Sequence, residues 1–327
     1  MRWFSRLTRR SHIYHISSHN GLITLDISVR HRFFYRRPFG RLIGAVVYLN
    51  IPEISWFEYH PLSVAYSYEN HLVFFIRVVG DNHSWTHKLN QLVEHNACST
   101  VYFEGPYCME HHREIVEQGI PPVLSTFNLM KTVEPKNEGI DYYNRIMKVY
   151  GTNVLFISGG VGLAGISSYI LDLLHALERI PEEKRHHFTV TIVIVVAEPE
   201  HLIGMYNVLV RCQQSPLFST QIYCTYRSTP EVKKTLSDKH DGCSIRPEIV
   251  SLASFDRLSR VIEIEGNAVK DLKYSIGRPD LKSIIQSLPY QECCVFFCGP
   301  KSMEEDCLHY LQDDHRIYSL HSEVFDM

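Results

Sequence analysis

The chain lacks any apolar run approaching the ~20 residues that carry a helix across a bilayer. Its most apolar stretches, Leu42–Ile51 and Val190–Ala197, are far shorter, and Gly44 and Asn50 interrupt the first. The expectation is a chain that crosses no membrane. A disulfide framework is also missing. The nine cysteines are odd in number, irregularly spaced and free of any Cys-x-x-Cys pair, while Cys293 and Cys294 are adjacent. That pattern favours a reduced, intracellular setting over a secreted scaffold, and no metal site is expected. Nor is there much net charge: 33 basic against 36 acidic residues leave −3, so nothing draws the whole chain to nucleic acid. Internal repeats are absent too.

What is present is a globular composition, 45% hydrophobic and 21% charged over 327 residues, enough for two packed domains. The charge is unevenly spread. Residues 1–41 hold nine arginines (Arg2, Arg6, Arg9, Arg10, Arg30, Arg32, Arg36, Arg37, Arg41) against the single acid Asp26. An anionic membrane surface is the natural partner for such a face, which places the protein on the cytoplasmic side of a membrane. Residues 1–10 read as a basic juxtamembrane arm, with an organelle transit peptide as the other reading.

Up to about residue 115, short β-branched and aromatic runs are broken by turn residues: Ile13–Ile16, Leu22–Val29, Ala45–Leu49, Ser63–Tyr68, Leu72–Val79 and Thr100–Phe103. Few helical windows accompany them, so residues 11–115 read as a small antiparallel β-barrel. Residues 116–150, with Pro121, Pro122 and Pro135, read as a linker or insertion. From residue 151 to 327 strands alternate with helices. Val154–Ile157 is a strand, and Ile166, Ile170, Leu173, Leu174 and Leu177 follow at helical spacing. His187–Ala197, Thr220–Tyr226 and Cys293–Phe297 read as further strands, and Glu200–Gln213, Asp280–Leu288 and Lys301–Leu311 as helices. This βαβαβ order predicts a Rossmann-like parallel sheet.

Between the first strand and helix of that second part lie Gly159, Gly160, Gly162 and Gly165. Gly160-x-Gly162-x-x-Gly165 allows a tight turn and lets a phosphate approach backbone N–H groups at a helix N-terminus. Other short motifs stand in order around it: His60-Pro61-Leu62-Ser63, Ile76-Arg77, Gly80-Asp81, Trp85-Thr86, Gly105-Pro106-Tyr107, Gly277-Arg278-Pro279-Asp280, Cys298-Gly299-Pro300, and Phe325 near the chain end. In this order, from about residue 11 onward, the sequence resembles the flavin reductase half of the ferric reductase and NADPH oxidase family, which is similar to ferredoxin–NADP reductases.

The resemblance implies an FAD-binding barrel and an NADPH-binding α/β domain, with NADH left open. It places His60, Pro61, Ser63, Arg77 and Thr86 at FAD, and Gly105-Pro106 near the domain junction. Arg77 and Arg278 suit phosphate, since guanidinium offers a planar fork of donors. Cys298, Gly299 and Pro300 are implied beside the nicotinamide, and Phe325 over the flavin ring; Cys298 and Phe325 are thus the candidate catalytic residues. Arg227 is a candidate for an adenosine 2′-phosphate, opposed by Glu198, an acid that suits a 2′-hydroxyl. Each residue also has a plainer reading: Asp280 as a helix N-cap, Cys298 as a small core residue, Arg77 as a solvated strand arginine.

Four departures from the family pattern stand out. Cys108 replaces a glycine, Asn82–Ser84 lengthen the Gly-Asp…Trp-Thr loop, Ala197 stands where an arginine is common, and Asp326-Met327 follow the terminal aromatic. Functionally the resemblance implies an oxidoreductase that moves electrons from NADPH through FAD to a ferric chelate, a haem or dioxygen. Any haem would belong to a separate membrane domain, a partner alongside the anionic surface and the nucleotides. A soluble NAD(P)H diaphorase and a degenerate, non-catalytic interaction module are the rival expectations.

Overall fold

A computed structural model describes residues 10–29, 43–68, 71–95, 100–108, 111–116, 125–127, 138–225, 272–288, 292–314 and 317–325. The arm at residues 1–9, most of the arginine-rich stretch, and Arg227 lie outside them.

The first domain is built from β1 (Arg10–His19), β2 (Leu22–Ser28), β3 (Ala45–Asn50), β4 (His60–Ser63), β5 (Tyr66–Tyr68), β6 (His71–Arg77) and β7 (Thr100–Cys108). They form one antiparallel sheet in the order β4-β3-β7-β1-β2-β6-β5. Its two outermost strands are consecutive in the chain, so the segment joining them closes the sheet on itself. Val64 N–H donates to Ala45 O on one side at 2.8 Å, and Ala65 N–H to Val73 O on the other at 2.9 Å. Barrel closure removes both sheet edges. Ser63–Tyr68, which reads as a single strand, is thus two strands serving opposite edges. Helix α1 (Trp85–Glu94) was not expected in this half. Its cue is the lengthened loop itself, because Ser84 caps the helix by accepting from His87 N–H.

Alternation along β6 sorts its side chains between two cores. Leu72, Phe74 and Ile76 join Ile23, Leu25 and Ile27 of β2 inside the barrel. Val73 and Phe75 point outward, yet they are buried in the core of the second domain. The outer face of the barrel is therefore a packing face.

The chain then continues through β8 (His111–Val116), β9 (Ser125–Phe127), α2 (Glu138–Val149), β10 (Asn153–Gly159), α3 (Leu163–Arg179), β11 (Thr189–Val196), α4 (Tyr206–Gln214), β12 (Phe218–Cys224), β13 (Ser275–Ile276), α5 (Leu281–Ser287), β14 (Glu292–Pro300), α6 (Lys301–Gln312) and β15 (Ile317–Phe325). The sheet order is β13-β12-β11-β10-β14-β15-β8-β9, parallel as far as β15 and antiparallel beyond it. β8 falls at the expected barrel boundary but pairs with the last strand of the second sheet. Within the expected linker 116–150, the described residues hold the end of β8, β9 and α2.

Strand order reverses between β10 and β14, the point where doubly wound sheets open a crevice. α3 lies against this sheet and against the barrel. Contrary to the expectation of only short apolar runs, the helix with the turn before it is apolar and long enough by composition to span a bilayer, but 83% of that window is buried inside the protein. Its apolarity is that of a helix wedged between two domains.

His175, on α3, sits close to Arg179 and Arg211, and burial with these two cations pushes its pKa down to about 4. Between about pH 6.5 and that value the unfolded chain binds a proton that the folded chain refuses, so stability falls as pH drops through this window. Denaturant unfolding at about pH 7 and about pH 5 should show a smaller acid loss in His175→Gln than in the native chain; equal losses would contradict this.

Candidate functional site

The glycine segment fits one geometric demand: two loops at the strand-order reversal pass almost in contact. Gly160–Gly162 form a 3-10 turn that leads directly into α3. A Cβ built on Gly162 would fall 1.9 Å from Cys298 O, and one on Gly159 would fall 2.6 Å from Pro300 Cδ. Gly299 in turn packs against Gly159 N at 3.1 Å from its own ideal Cβ. The Gly-Gly-x-Gly and Cys-Gly-Pro motifs are therefore two halves of one contact, joined through β10 and β14. Gly160 differs: its φ is +58, and the atom nearest its ideal Cβ is a guanidinium nitrogen of Arg77, 3.9 Å away.

That nitrogen comes from the other domain. Arg77 ends β6, and it lines a cleft of about 390 Å³ together with Gly159, Gly160, Arg278, Pro300 and His201. Leu22 and Phe75 contribute from the barrel side, and Ala197 and Thr225 from the ends of β11 and β12. Among the described residues, the charged side chains lining it are Arg77, Arg278 and one carboxylate, Asp306. Two guanidiniums beside a helix N-terminus, whose first N–H groups have no carbonyl one turn back, make a site for phosphate.

Arg278 is placed by its neighbours. β13 adds in parallel to β12, and Gly277 (φ +115) donates from N–H to Cys224 O at 2.9 Å. Asp280 then starts α5, its carboxylate accepting from Ser283 N–H at 3.1 Å and from Ser283 Oγ at 2.6 Å. Those bonds lower the Asp280 pKa. The capping reading of Asp280 and the cleft position of Arg278 hold together.

Other candidate residues lie away from the cleft. His60 starts β4 and stacks on Trp85 of α1, with ring centroids 4.3 Å apart. Burial lowers its pKa, partly offset by Glu58, whose Oε2 is 3.7 Å from Nε2. His60 Nε2 and Trp85 Nε1 are both buried without a hydrogen-bond partner among the described residues. Pro61 and Ser63 pair with Tyr48 and Val46 of β3. The Thr86 hydroxyl donates to Val79 O at 2.8 Å and accepts from Val79 N–H at 3.0 Å, which ties down the lengthened loop. Gly105-Pro106 sit at an irregularity in the β3–β7 pairing, where Gly105 takes φ +118. Cys108, paired with Ala45, has strand backbone, so the replaced glycine carries no left-handed strain here.

In the second domain, Gly165 is buried within α3. Cys298 is buried in the core that faces α3 and does not line the cleft. Phe325 ends β15, its backbone paired with Pro300 beside the glycine contact. Sequence reasoning passed over Asn20, Phe75, His201 and Gly204. Only Asn20-Gly21 carries a local signal, the two-residue turn of a hairpin.

Residues 151–312 match the ferric reductase NAD binding domain family. The second half of this chain is thus similar to that family. Over 115 residues the chain is 30% identical to a probable metalloreductase of Meyerozyma guilliermondii; that stretch covers 35% of this chain and 22% of the yeast protein. Among solved structures, an Amycolatopsis cytochrome P450 reductase superposes with a TM-score of 0.52 at 14% identity, covering 97% of this chain and 69% of its own. A flavohemoglobin from Malassezia yamatoensis, solved with bound FAD and heme, gives 0.52 at 12% identity, covering 97% and 60%. The ferredoxin reductase of carbazole 1,9a-dioxygenase gives 0.51 at 11%, covering 97% and 69%. At such identities these likenesses establish a shared fold alone.

Since Gly162 has ordinary helical φ (−56), it is contact with the Cys298–Gly299 peptide that forbids a side chain there. Gly162→Ala should cost about 1–3 kcal/mol of unfolding free energy by overpacking, read from denaturant melts. A neutral outcome would show that the two loops do not meet as described.

Proposed function

We propose that this chain is the reductase module of an NAD(P)H-dependent flavoprotein, taking electrons from a reduced nicotinamide dinucleotide through FAD to a metal, haem or dioxygen acceptor. One observation carries the reading. A barrel arginine, Arg77, and the glycine turn of the ferric reductase NAD-binding domain line a single cleft at the strand-order reversal. A nucleotide on either domain would there lie against the other.

The residues present fit two phosphorylated nucleotides. Gly160 leaves its side of the turn open, Arg77 and Arg278 supply charge-assisted donors, and the start of α3 adds backbone N–H groups. On the barrel, Trp85 Nε1, buried without a hydrogen-bond partner among the described residues, is a polar atom that a flavin edge would satisfy, and His60 stacks beside it. When bound, the two groups supply hydride transfer from nicotinamide C4 to flavin N5. The chain's own part is positioning: Arg77 neutralises phosphate at the seam, Arg278 does so on the far wall, and Leu22 and Phe75 keep water from the barrel side. The buried Cys298 thiol is read as packing beneath the glycine contact, with Phe325 and the Pro300 backbone at its rim.

The acceptor is proposed as a haem on a separate membrane domain or a ferric chelate, in keeping with the metalloreductase relative and with the arginines of residues 1–41 facing an anionic membrane surface. High salt should then release the chain from anionic vesicles.

Arg77→Ala tests the core of the reading. It should weaken FAD binding, followed by quenching of flavin fluorescence, by about 10- to 100-fold, and Arg77→Lys should recover only part because it lacks the planar fork. FAD binding by Arg77→Ala equal to that of the native chain would take Arg77 out of the flavin site, whereas a native chain that binds no FAD would favour a non-catalytic module.

A further inference from the structure

In doubly wound nucleotide folds, an acid after the second strand accepts from the ribose 2′-hydroxyl and repels a 2′-phosphate. Glu198 holds that position here, directly after β11. Its neighbours Val196, Ala197 and His201 line the cleft, but Glu198 does not. Its carboxylate is turned to the barrel, where Oε2 accepts a hydrogen bond from Asn20 Nδ2. His201 Nε2 donates to Asn20 O at 3.1 Å, so Asn20 holds both ends of this segment.

Asn20 is placed for this by the turn between β1 and β2. It takes φ +48 and Gly21 takes φ +77, the left-handed pair of a type I′ hairpin turn. Asparagine tolerates that backbone and keeps a side-chain amide to donate. With Glu198 withdrawn, the charged side chains that line the cleft among the described residues are Arg77, Arg278 and Asp306. The balance favours an additional phosphate.

We propose that Asn20 withholds Glu198 from the ribose, so that the site takes a 2′-phosphorylated nicotinamide dinucleotide. Specificity is then set from the barrel, by a hydrogen bond across the domain seam. This deepens the reductase reading and rests on its placing the adenosine ribose at the ends of β11 and β12.

Asn20→Gly removes the amide while retaining a residue at ease with positive φ. Calorimetric titration of the full chain with 2′,5′-ADP and with 5′-AMP reads the 2′-phosphate preference without any flavin chemistry. The native chain should prefer 2′,5′-ADP. In Asn20→Gly the preference should fall about tenfold as the freed carboxylate swings toward the ribose. Adding Glu198→Gln to that variant should restore most of it, whereas Glu198→Gln alone should change it less than about twofold. An unchanged preference in Asn20→Gly, a large gain from Glu198→Gln alone, or a native chain that favours 5′-AMP or binds neither probe would overturn the proposal. If FAD binds normally while the preference ignores Asn20, this inference alone fails. Should the preference follow Asn20 while the native chain binds no FAD, the reductase reading fails instead.

Discussion

Everything at the cleft depends on how closely two backbones approach where the strand order reverses. Gly162 and Cys298 O lie so near that a single added methyl would sit 1.9 Å from the carbonyl. This contact fixes the start of α3 against the end of β14, and with it the direction in which the helix N-terminus points. Strands β10 and β14 pair in parallel, and the glycines let the loops that follow them pass in contact. The phosphate binding proposed at the turn would thus be inherited from a packing constraint, and the glycines are explained twice: by sterics at Gly159 and Gly162, and by left-handed backbone at Gly160.

The second requirement is that the domains hold still relative to each other. Three kinds of contact do this. The ring of Phe75 occupies the notch over Gly204, where an ideal Cβ would be 2.3 Å from it. Buried Ser168 Oγ accepts from Gly44 N–H at 3.1 Å. Asn20 reaches Glu198 and His201. Apolar fit, a buried hydrogen bond and an exposed polar tie act together, and a cleft lined from both sides keeps its width. Arg77 can serve a nucleotide turn that belongs to another domain only under that condition.

Much of this architecture was readable from the sequence. Period-two runs marked the barrel strands, and the break at Asn153 marked the α/β half. Of the residues in the ordered motifs, Arg77, Gly160, Arg278 and Pro300 line one cleft, whereas His60 and Cys298, expected on it, do not. What escaped notice has physical reasons. α1 was hidden because its cap, Ser84, lies inside the loop that departs from the family pattern. The double burial of β6 was hidden because alternation looks the same whether the outer face meets water or another domain. Strand β8 joins the second sheet through pairing with β15, a contact some two hundred residues away that no local pattern encodes. Thr86 stood in a recognisable motif, but its hydroxyl bonds to Val79 in the lengthened loop. Glu198 was read from its strand-end position alone, whereas its partner Asn20 is remote in sequence.

The central claim is that the cleft brings a nicotinamide dinucleotide on the second domain against a flavin on the barrel. Anaerobic mixing of the FAD-loaded chain with NADPH and, separately, with NADH tests it most directly, by the loss of oxidised-flavin absorbance. The account predicts rapid bleaching, faster with NADPH. A chain that holds FAD yet stays yellow with both nucleotides would contradict it.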